Sequence, residues 1–388
     1  MRVTSGIAAA AALAAGASAQ NYLGFNSGST LTDHSAKFKK DWVQEFTTAQ
    51  NLENAPGKFN AVRLYTNIQA YSKDDPIEAF DAAIETNTSI LLGVWASGVT
   101  NIDLELSALA NGVKKHGSKL TDLIIGISIG SEDLYRDSVT GMKNKAGLGN
   151  GPNEIVGFIN DYRKKFADTP LASVPVGHVD TWDSWVNGTN KVVVDAVDFV
   201  GVDEYPYYEN GKGNDIKNSG QLFDKAFDAV KGAIGDKPLW MTETGWPYIG
   251  EKWDQAVPSI DNAQYYWQEV GCRRLFNKVP TFWYTLRDSN PDNEMKFAIT
   301  KNLSPKPMFD LTCPTTFQTP EPSTSGTPEK GPSSTGASVP SGTGSPSGTG
   351  TNSSPSATGS GSAAPFGKSV SYAAAAIPAG IYLAAALL

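Results

Sequence analysis

The sequence predicts a (β/α)8 barrel, an α/β fold, over residues 20–313, followed by a disordered stalk rich in serine and threonine. Eight short runs of apolar or β-branched residues recur along this region, with helical patterns between them. Most runs are hydrophobic throughout, which is typical of parallel strands buried on both faces. The region spans about 290 residues, an ordinary length for such a barrel. A doubly wound open sheet is the alternative, but no G-x-G-x-x-G motif follows the first run and no phosphate-binding loop motif occurs.

The predicted strands, in chain order, are residues 22–26, 61–66, 89–96, 123–132, 172–181, 199–208, 238–247 and 281–288. Helical patterns occupy residues 76–86, 103–116, 153–167, 221–235 and 262–276. The fourth of these is the clearest, because its apolar residues recur every three or four positions and share one face. Asp261 is the predicted N-cap of the last helix. The segment 182–197 has the weakest helical pattern.

Two glutamates stand at matching places, each at the end of a predicted strand. Glu132 follows the run IIGISIGS, and Glu243 follows LWMT. Functional side chains of such barrels lie at the carboxyl ends of the strands, so both carboxylates are expected on one rim. A single glutamate there is more often solvated or held in a salt bridge, but the matched pair favours catalysis. Two carboxyl groups about 5–5.5 Å apart serve retaining glycosidases, and the pair therefore predicts that chemistry.

Aromatic residues cluster at the strand ends, where a sugar could stack on their rings. They are Tyr65, Trp95, Tyr205, Tyr207, Tyr208, Trp246, Trp283 and Tyr284. Any one ring could instead belong to the core, but their number indicates a saccharide cleft. Arg63 lies within an apolar strand, where an unpaired charge is costly. We expect it to pair with a carboxylate such as that of Glu243, and a salt bridge remote from the site is the alternative.

Other chemistries fit the sequence poorly. The three histidines, His34, His116 and His178, are scattered without metal-binding spacing, and no G-x-S-x-G motif marks a serine nucleophile. We therefore expect no metal and no cofactor. The net charge of −8 and a pI near 5.0 argue against nucleic acid or anionic lipid as a partner, and we expect a monomer.

The two cysteines, Cys272 and Cys313, are expected to form one disulfide. It would close a loop of about 40 residues and contribute about 3–4 kcal/mol in the chain-entropy model. Acceptor sequences for N-glycans stand at Asn87, Asn187, Asn302 and Asn352. The proline after the serine of the third sequence weakens it as an acceptor.

Both ends of the chain have the composition of export signals. Residues 1–19 combine an early arginine, an alanine-rich apolar stretch and a final Ala-Ser-Ala, as in a secretory signal peptide; a helix of the folded domain is the alternative. Residues 314–361 are rich in Ser, Thr, Gly and Pro and predict a disordered, glycosylated linker. Residues 362–388 predict a glycosylphosphatidylinositol (GPI) attachment signal, with the anchor at Gly361 or at Ser360 or Ser362. A retained membrane helix is the alternative.

The motif LWMTETGWP around Glu243 resembles the nucleophile signature of glycoside hydrolase family 17, the β-1,3-glucanases. VRLYT near strand two, GSE on strand four and DEYPYY on strand six resemble the same family in the same order, and the resemblance covers residues 20–313. It implies that Glu132 is the proton donor and Glu243 the nucleophile. The residues expected to contact substrate are Arg63, Tyr65, Trp95, Ser131, Tyr205, Tyr207, Trp246, Trp283 and Asp288.

Two places depart from the family pattern. Ser131 stands where many members carry an asparagine that would touch the sugar 2-hydroxyl. Asp288 and Lys296 are the nearest equivalents of an acidic residue and a lysine that follow strand eight in many members. Contacts to the substrate at both places are therefore expected to differ from the family's.

The signal, stalk and anchor sequences resemble those of the fungal cell-wall branch of the family. This resemblance implies endo-hydrolysis of cell-wall β-1,3-glucan through a covalent glycosyl-enzyme, during wall remodelling. The protein would be secreted to the cell surface and held in the plasma membrane or wall by its GPI lipid. A β-1,3-glucanosyltransferase, which passes the glycosyl group to a sugar instead of water, is the nearest alternative. A non-catalytic glucan-binding wall protein is a further alternative, which the presence of both glutamates disfavours.

Overall fold

A closed barrel of eight parallel strands forms the centre of the protein in the computed structural model, which describes residues 21–290 and 293–317. The strands are β1 (Leu23–Ser27), β2 (Ala61–Leu64), β3 (Ser89–Val94), β4 (Ile124–Ser131), β5 (Val176–Thr181), β6 (Phe199–Asp203), β7 (Leu239–Glu243) and β8 (Thr281–Trp283). Each pairs with the next along the chain, and Leu23 pairs with Thr281 to close the ring. The predicted (β/α)8 barrel is confirmed.

Helices alternate with the strands along the chain. The α-helices are α1 (Lys39–Gln50), α2 (Ala79–Thr86), α3 (Asp103–His116), α4 (Ser118–Thr121), α5 (Asp133–Arg136), α6 (Val139–Lys143), α7 (Pro152–Lys165), α8 (Trp182–Val186), α9 (Lys191–Ala196), α10 (Ser219–Ile234) and α11 (Ile260–Tyr266). A π-helical segment, Trp267–Leu275, continues α11. In α10 the buried residues Phe223, Phe227 and Val230 recur at helical spacing. Gly235 follows with φ +64°, a conformation that favours glycine and ends the helix there.

The inside of the barrel changes character along its axis. Side chains from five strands form an apolar cluster toward the amino ends of the strands, namely Ala61, Leu91, Phe199, Trp240 and Phe282. Arg63 lies two residues after Ala61 and so on the same face of β2, because side chains alternate along a strand. Polar groups therefore occupy the interior toward the carboxyl ends of the strands. The larger apolar core, to which Trp42, Phe80 and Ile159 belong, includes residues of both strands and helices.

The segment 182–197, with the weakest helical pattern, is broken in the structure. It forms α8, a 3₁₀ turn at Gly188–Asn190, and then α9. Asn187 has an extended backbone, and its side-chain oxygen accepts a hydrogen bond from the Thr189 N–H at 3.1 Å. Asparagine side chains compete with helical hydrogen bonding in this way, which accounts for the break.

The boundaries of several elements differ from the prediction. The strand predicted to reach residue 208 ends at Asp203, because Pro206 has no N–H and begins the 3₁₀ turn Pro206–Tyr208. The prediction of Asp261 as an N-cap is wrong. Ser259 caps α11 instead, and its hydroxyl accepts a hydrogen bond from the Asn262 N–H at 3.0 Å. Asp261 lies in the first turn, where its charge still suits the helix dipole.

The predicted disulfide is present between Cys272 and Cys313, which are 41 residues apart in sequence. It ties the end of the described chain to the π-helical segment. Within the described residues, no helix is both long and apolar enough to cross a bilayer. The predicted signal peptide (1–19), the linker beyond residue 317, the anchor signal (362–388) and the sites at Asn352, Ser360, Gly361 and Ser362 lie outside the described residues.

Candidate active site

The strand end that carries Glu132 has an irregular backbone. The pairing of β4 with β5 shifts register between Ser128 and Ser131. Gly130 follows the irregularity with φ +84°, and a Cβ there would lie 2.5 Å from Asp133 Oδ2. Glu132 itself has φ +56°, in the left-handed region that non-glycine residues rarely adopt. The IGSE sequence thus forms a tight turn in which only glycine fits at position 130.

The carboxylate of Glu243, the last residue of β7, is surrounded by hydrogen-bond donors. Arg63 Nη1 and the Tyr65 hydroxyl each donate to Glu243 Oε1 at 2.5 Å. The Tyr205 hydroxyl donates to Glu243 Oε2 at 2.8 Å. Donors and a positive charge favour the ionised carboxylate. The site therefore fixes the orientation of the Glu243 carboxyl group with three donors.

Arg63 is fixed by three elements besides its own strand. Its Nη1 donates to Asn26 Oδ1 and its Nη2 to Ser131 Oγ, both at 2.9 Å. The expected pairing with Glu243 is present, so the arginine is part of this site and not a remote salt bridge. Ser131, at the position where an asparagine is common in the resembled family, accepts from the guanidinium instead.

Glu132 has a different environment from that of Glu243. Its Oε2 accepts one hydrogen bond from Arg136 Nη2 at 3.2 Å, while Oε1 has no partner among the described side chains. The residue is 1% exposed. Burial raises the pKa of Glu132 to about 8; the charge of Glu243 adds to this rise, and that of Arg136 opposes it. Glu132 thus has a raised pKa, whereas Glu243 is surrounded by a positive charge and hydrogen-bond donors, which is the contrast expected between an acid and a nucleophile.

A buried polar network holds the turn that carries Glu132. Asp180 Oδ2 accepts the Leu134 N–H at 2.8 Å and contacts His178 Nε2 at 2.9 Å. Asp133 Oδ2 accepts the Ser131 N–H at 2.9 Å. The sequence predicted no role for Asp180, and it presented His178 only as a possible metal ligand. Their alternation in the run HVD, which puts both on one face of β5, was the available signal.

Two further buried carboxyl groups, Asp203 and Glu204, were also missed by sequence analysis. Asp203 pairs in register with Glu243, and its Oδ1 accepts from the Thr242 hydroxyl at 2.7 Å. The Glu204 N–H donates to the Glu243 backbone oxygen at 3.0 Å. Burial raises the pKa of both side chains well above the ordinary range. The adjacent acidic residues at the start of the motif DEYPYY could have indicated these carboxyl groups. The prediction used only the aromatic residues of that motif.

The aromatic residues predicted to contact substrate have three different environments. Tyr65 and Tyr205 are buried hydrogen-bond donors to Glu243. Trp95 is half-buried, and the Arg136 guanidinium lies 5.4 Å from the centre of its ring. Trp95 is therefore a partly exposed ring that could stack on a sugar. It lies beside Arg136, the residue that donates a hydrogen bond to Glu132.

The other three rings of the predicted binding set are buried. Tyr207, Trp246 and Trp283 are each at most 2% exposed. Tyr207 packs edge-on against Trp246 with ring centres 5.0 Å apart, and Trp283 packs against Trp267 at 4.9 Å. Protein covers these rings in the structure, so they support the loops and core and present no open face to a sugar.

Asp288 and Lys296 serve the loop that follows β8. Asp288 Oδ1 accepts the backbone N–H groups of Phe297 and Ala298 at 2.8 and 3.2 Å. Lys296 Nζ donates to the backbone oxygen of Asn293. Phe297 in turn packs edge-on against the ring of Tyr205 at 5.8 Å between centres. Asp288 therefore affects the site indirectly. It holds the loop whose Phe297 ring packs against Tyr205.

Three of the predicted glycan acceptors, Asn87, Asn187 and Asn302, are exposed. Their occupancy stays a prediction. Among the described residues, no group of three or more His, Cys, Asp or Glu side chains is arranged to hold a metal ion.

Replacing Tyr205 with phenylalanine is expected to loosen the positioning of Glu243 and to lower kcat/KM of the expected glycosidase reaction about 10- to 100-fold. The variant removes one hydrogen bond to a charged carboxylate, and such bonds contribute about 1.5–3 kcal/mol. Initial rates on laminarin measure the effect. Tyr162→Phe is the matched control, since that hydroxyl lies in the helical layer and, within the described part of the chain, donates to the Leu171 oxygen alone. Equal losses in the two variants would mean that the hydrogen bond to Glu243 has no special role.

Comparison with known proteins gives a consistent set of similarities. The sequence profile described as the BtgE/BtgC glycoside hydrolase domain matches residues 25–302. A protein of Aspergillus terreus named probable glucan endo-1,3-beta-glucosidase is 47% identical over 316 residues, which are 81% of this chain and 64% of that protein. A protein of the same name from Aspergillus fumigatus is 46% identical over 315 residues, 81% of this chain and 70% of its own length. The chain thus spans 64% of the first of these relatives, just under two thirds of its length.

Solved structures with the same fold include two glucan-active proteins. A glycoside hydrolase family 17 beta-1,3-glucanosyltransferase from Rhizomucor miehei is 22% identical with a TM-score of 0.56, over 74% of this chain and 98% of that one. A beta-1,3-glucanase and allergen of Cryptomeria japonica pollen is 16% identical with a TM-score of 0.55, over 76% and 100% of the two chains. These two likenesses show the barrel fold.

Proposed function

Because the chain belongs to the BtgE/BtgC glycoside hydrolase family, we propose that it is a retaining glucan endo-1,3-β-glucosidase that cleaves internal bonds of cell-wall β-1,3-glucan. This membership agrees with the resemblance to glycoside hydrolase family 17 in the motifs around Glu132 and Glu243. The observation that carries the proposal is the contrast between those two carboxyl groups. One has a raised pKa and a free oxygen, and the other is held by an arginine and two tyrosines.

In the first half of the proposed reaction, Glu132 donates its proton to the glycosidic oxygen as that bond breaks. A Glu243 carboxylate oxygen bonds to the anomeric carbon at the same time and forms a glycosyl-enzyme. The Tyr65 and Tyr205 hydroxyl groups and Arg63 hold the attacking carboxylate in a single orientation. Preorganisation of this kind lowers the barrier because no reorientation is needed during the reaction.

In the second half, the ionised Glu132 takes a proton from water as that water bonds to the anomeric carbon. The bond between this carbon and Glu243 breaks, and its electron pair returns to the carboxylate. Glu132 is then protonated again, so the two carboxyl groups end as they began.

Product sizing after incubation with defined β-1,3-glucan oligosaccharides tests this proposal. A hydrolase is expected to give only chains shorter than the substrate, with the configuration of the new reducing end retained. Chains longer than the substrate would identify the glucanosyltransferase instead. If the folded protein releases no product, both the hydrolase and the glucanosyltransferase assignments are wrong.

The pH dependence of kcat/KM is expected to show an alkaline limb near pH 8. The acid must be protonated to act, and the pKa of Glu132 is raised to about 8. A raised pKa keeps the proton in place at neutral pH, so activity is lost only as the pH rises through that value. Initial rates on a β-1,3-glucan oligosaccharide from about pH 5 to about pH 9 measure the limb. A fall already complete near pH 6 would show that another group controls it.

We further propose that the protein acts at the cell surface, held by a GPI lipid. The apolar tail with its preceding small residues supports this location, as do the disulfide and the exposed glycan acceptor sites. A phosphoinositide-specific phospholipase is expected to release the anchored protein from membranes of the producing cell. Retention after complete digestion of a known GPI-anchored protein in the same sample would point to a membrane-spanning tail.

A further inference from the structure

Three successive residues of β5 hold the turn that carries Glu132. Before the turn, His178 Nδ1 lies 2.6 Å from the backbone oxygen of Ile129. At the turn, the Val179 backbone oxygen accepts the Glu132 N–H at 2.8 Å. After the turn, the Asp180 carboxylate accepts two N–H groups at the start of α5, at 2.8 and 3.2 Å. One strand thus fixes the backbone on both sides of Glu132 as well as at Glu132 itself.

The His178 ring lies between two hydrogen-bond acceptors and is fully buried. Its Nδ1 faces the Ile129 oxygen, and its Nε2 faces Asp180 Oδ2 at 2.9 Å. A backbone oxygen cannot donate, so Nδ1 must carry a proton. A neutral imidazole has only one N–H group, so the contact between Nε2 and Oδ2 requires a second proton.

Two observations favour the ring as the place of that second proton. Asp180 accepts three backbone N–H groups, two from α5 and one from Thr181, and such bonds favour an ionised carboxylate. Of the other described groups that face the ring, Asp133 on α5 is acidic and the Trp185 ring on α8 is uncharged. Burial lowers the pKa of His178, but the hydrogen bond and charge of Asp180 and the charge of Asp133 more than offset this, so the pKa is raised.

We propose that His178 is an imidazolium that stays charged at neutral pH and, together with Asp180, positions Glu132 for proton transfer. Its contacts in the described chain are to the Ile129 backbone, to Asp180 and to the Trp185 ring, so it is a positioning residue. The role assigned to Glu132 rests on the proposed function, whereas the charge of the ring does not depend on it.

The backbone of Glu132 explains why such a support is needed. Its φ of +56° is in the left-handed region, and a strained residue of this kind persists only where its surroundings fix it. Loss of one ring proton would leave either the Ile129 oxygen or Asp180 Oδ2 facing a nitrogen that cannot donate. A buried polar atom without a partner is unfavourable, so the turn would relax and the Glu132 carboxyl group would move.

Nuclear magnetic resonance of the protein labelled with ¹⁵N-histidine tests the charge. At about pH 7.5, one unit above the ordinary histidine pKa of about 6.5, an ordinary ring is mostly neutral. Of the three histidines, one is expected to show both ring nitrogens protonated, and its signals should be absent from His178→Gln. An Nε2 of His178 without a proton would place that proton on Asp180 and overturn the inference.

His178→Gln tests the positioning of Glu132. The glutamine amide can donate to one of the two acceptors but carries no charge and cannot replace both ring nitrogens. We expect kcat/KM on laminarin to fall about 10- to 100-fold, since a small displacement of a reacting group can cost about 10²-fold. The first-turnover release of phenol from a dinitrophenyl β-glucoside should fall less than about threefold, because a good leaving group needs no proton. Equal falls on the two substrates would mean that His178 supports the fold in general, which contradicts the inference.

His116→Gln is the matched control. That histidine also lies near an aspartate, with its Nε2 3.6 Å from Asp81 Oδ1, but it ends α3 in the helical layer. Both rates should be unchanged in this variant. Should His178→Gln fail to fold, Asp180→Asn replaces it, and the same contrast between the two substrates is expected. If the unmodified protein cleaves no β-1,3 bond, the proposed function and the positioning role both fail, while the resonance measurement still decides the charge of the ring.

Discussion

Replacement of Glu243 with glutamine is expected to reduce kcat on laminarin by about 10⁴-fold or more, as removal of the nucleophile does in other covalent catalysts. The amide cannot form the glycosyl-enzyme, although it can still accept hydrogen bonds from Arg63 and Tyr65. The fold should therefore persist. Initial rates on laminarin give the loss in activity, and circular dichroism with thermal unfolding tests the fold.

Glu243→Ala gives a sharper test of the assigned role. The smaller side chain leaves room for azide, which can attack the anomeric carbon from the face that the carboxylate occupied. With an activated β-glucoside and azide we expect partial recovery of activity and an α-glucosyl azide product. A β-glucosyl azide would place the nucleophile elsewhere. The matched control is Glu154→Ala, which lies on an exposed helix face and should behave as the unmodified protein does.

Replacement of Glu132 with glutamine is expected to reduce kcat on laminarin about 10²- to 10⁴-fold, the usual contribution of a general acid. The loss should depend on the leaving group, because a good leaving group needs no proton. In its first turnover a dinitrophenyl β-glucoside should therefore release its phenol at a rate much nearer to that of the unmodified protein. The same variant should lack the alkaline limb near pH 8, since the titrating group has gone.

Stopped-flow measurement of phenol release separates the two halves of the reaction in Glu132→Gln. A rapid first release followed by a slow steady rate is expected, because the second half has lost its general base. If the rapid first release of phenol falls as much as the rate on laminarin does, Glu132 acts by holding the structure of the site and not by transferring a proton.

The barrel and the glutamate pair could be predicted because both depend on strong local patterns. Buried parallel strands are hydrophobic along their whole length, and this signal does not require knowledge of distant contacts. A glutamate directly after such a run must emerge at the rim. The pairing of Arg63 with Glu243 followed from the cost of burying a lone charge.

The surroundings of the pair could not be predicted because they depend on contacts between distant segments. Trp246 and Trp283 have the same residue type and the same place near strand ends as Trp95, yet only Trp95 is partly exposed. Which ring is covered depends on the helices and loops that pack over it. Asp203 and Glu204 were overlooked for a related reason, since a pair of acidic residues after a strand most often faces solvent.

The positive φ of Glu132 limits how far the thermal stability of this barrel can be raised by substitution at that position. A left-handed backbone at a non-glycine residue lowers folding stability by roughly 1–2 kcal/mol. The protein retains this strained residue because the proposed proton donor occupies position 132. Glycine or asparagine at position 132 would relax the backbone and raise the melting temperature of an inactive protein. Selection for thermal stability alone would therefore favour loss of the proposed catalytic acid. Stability and activity compete at this position, and any search for a more robust enzyme must keep residue 132 fixed.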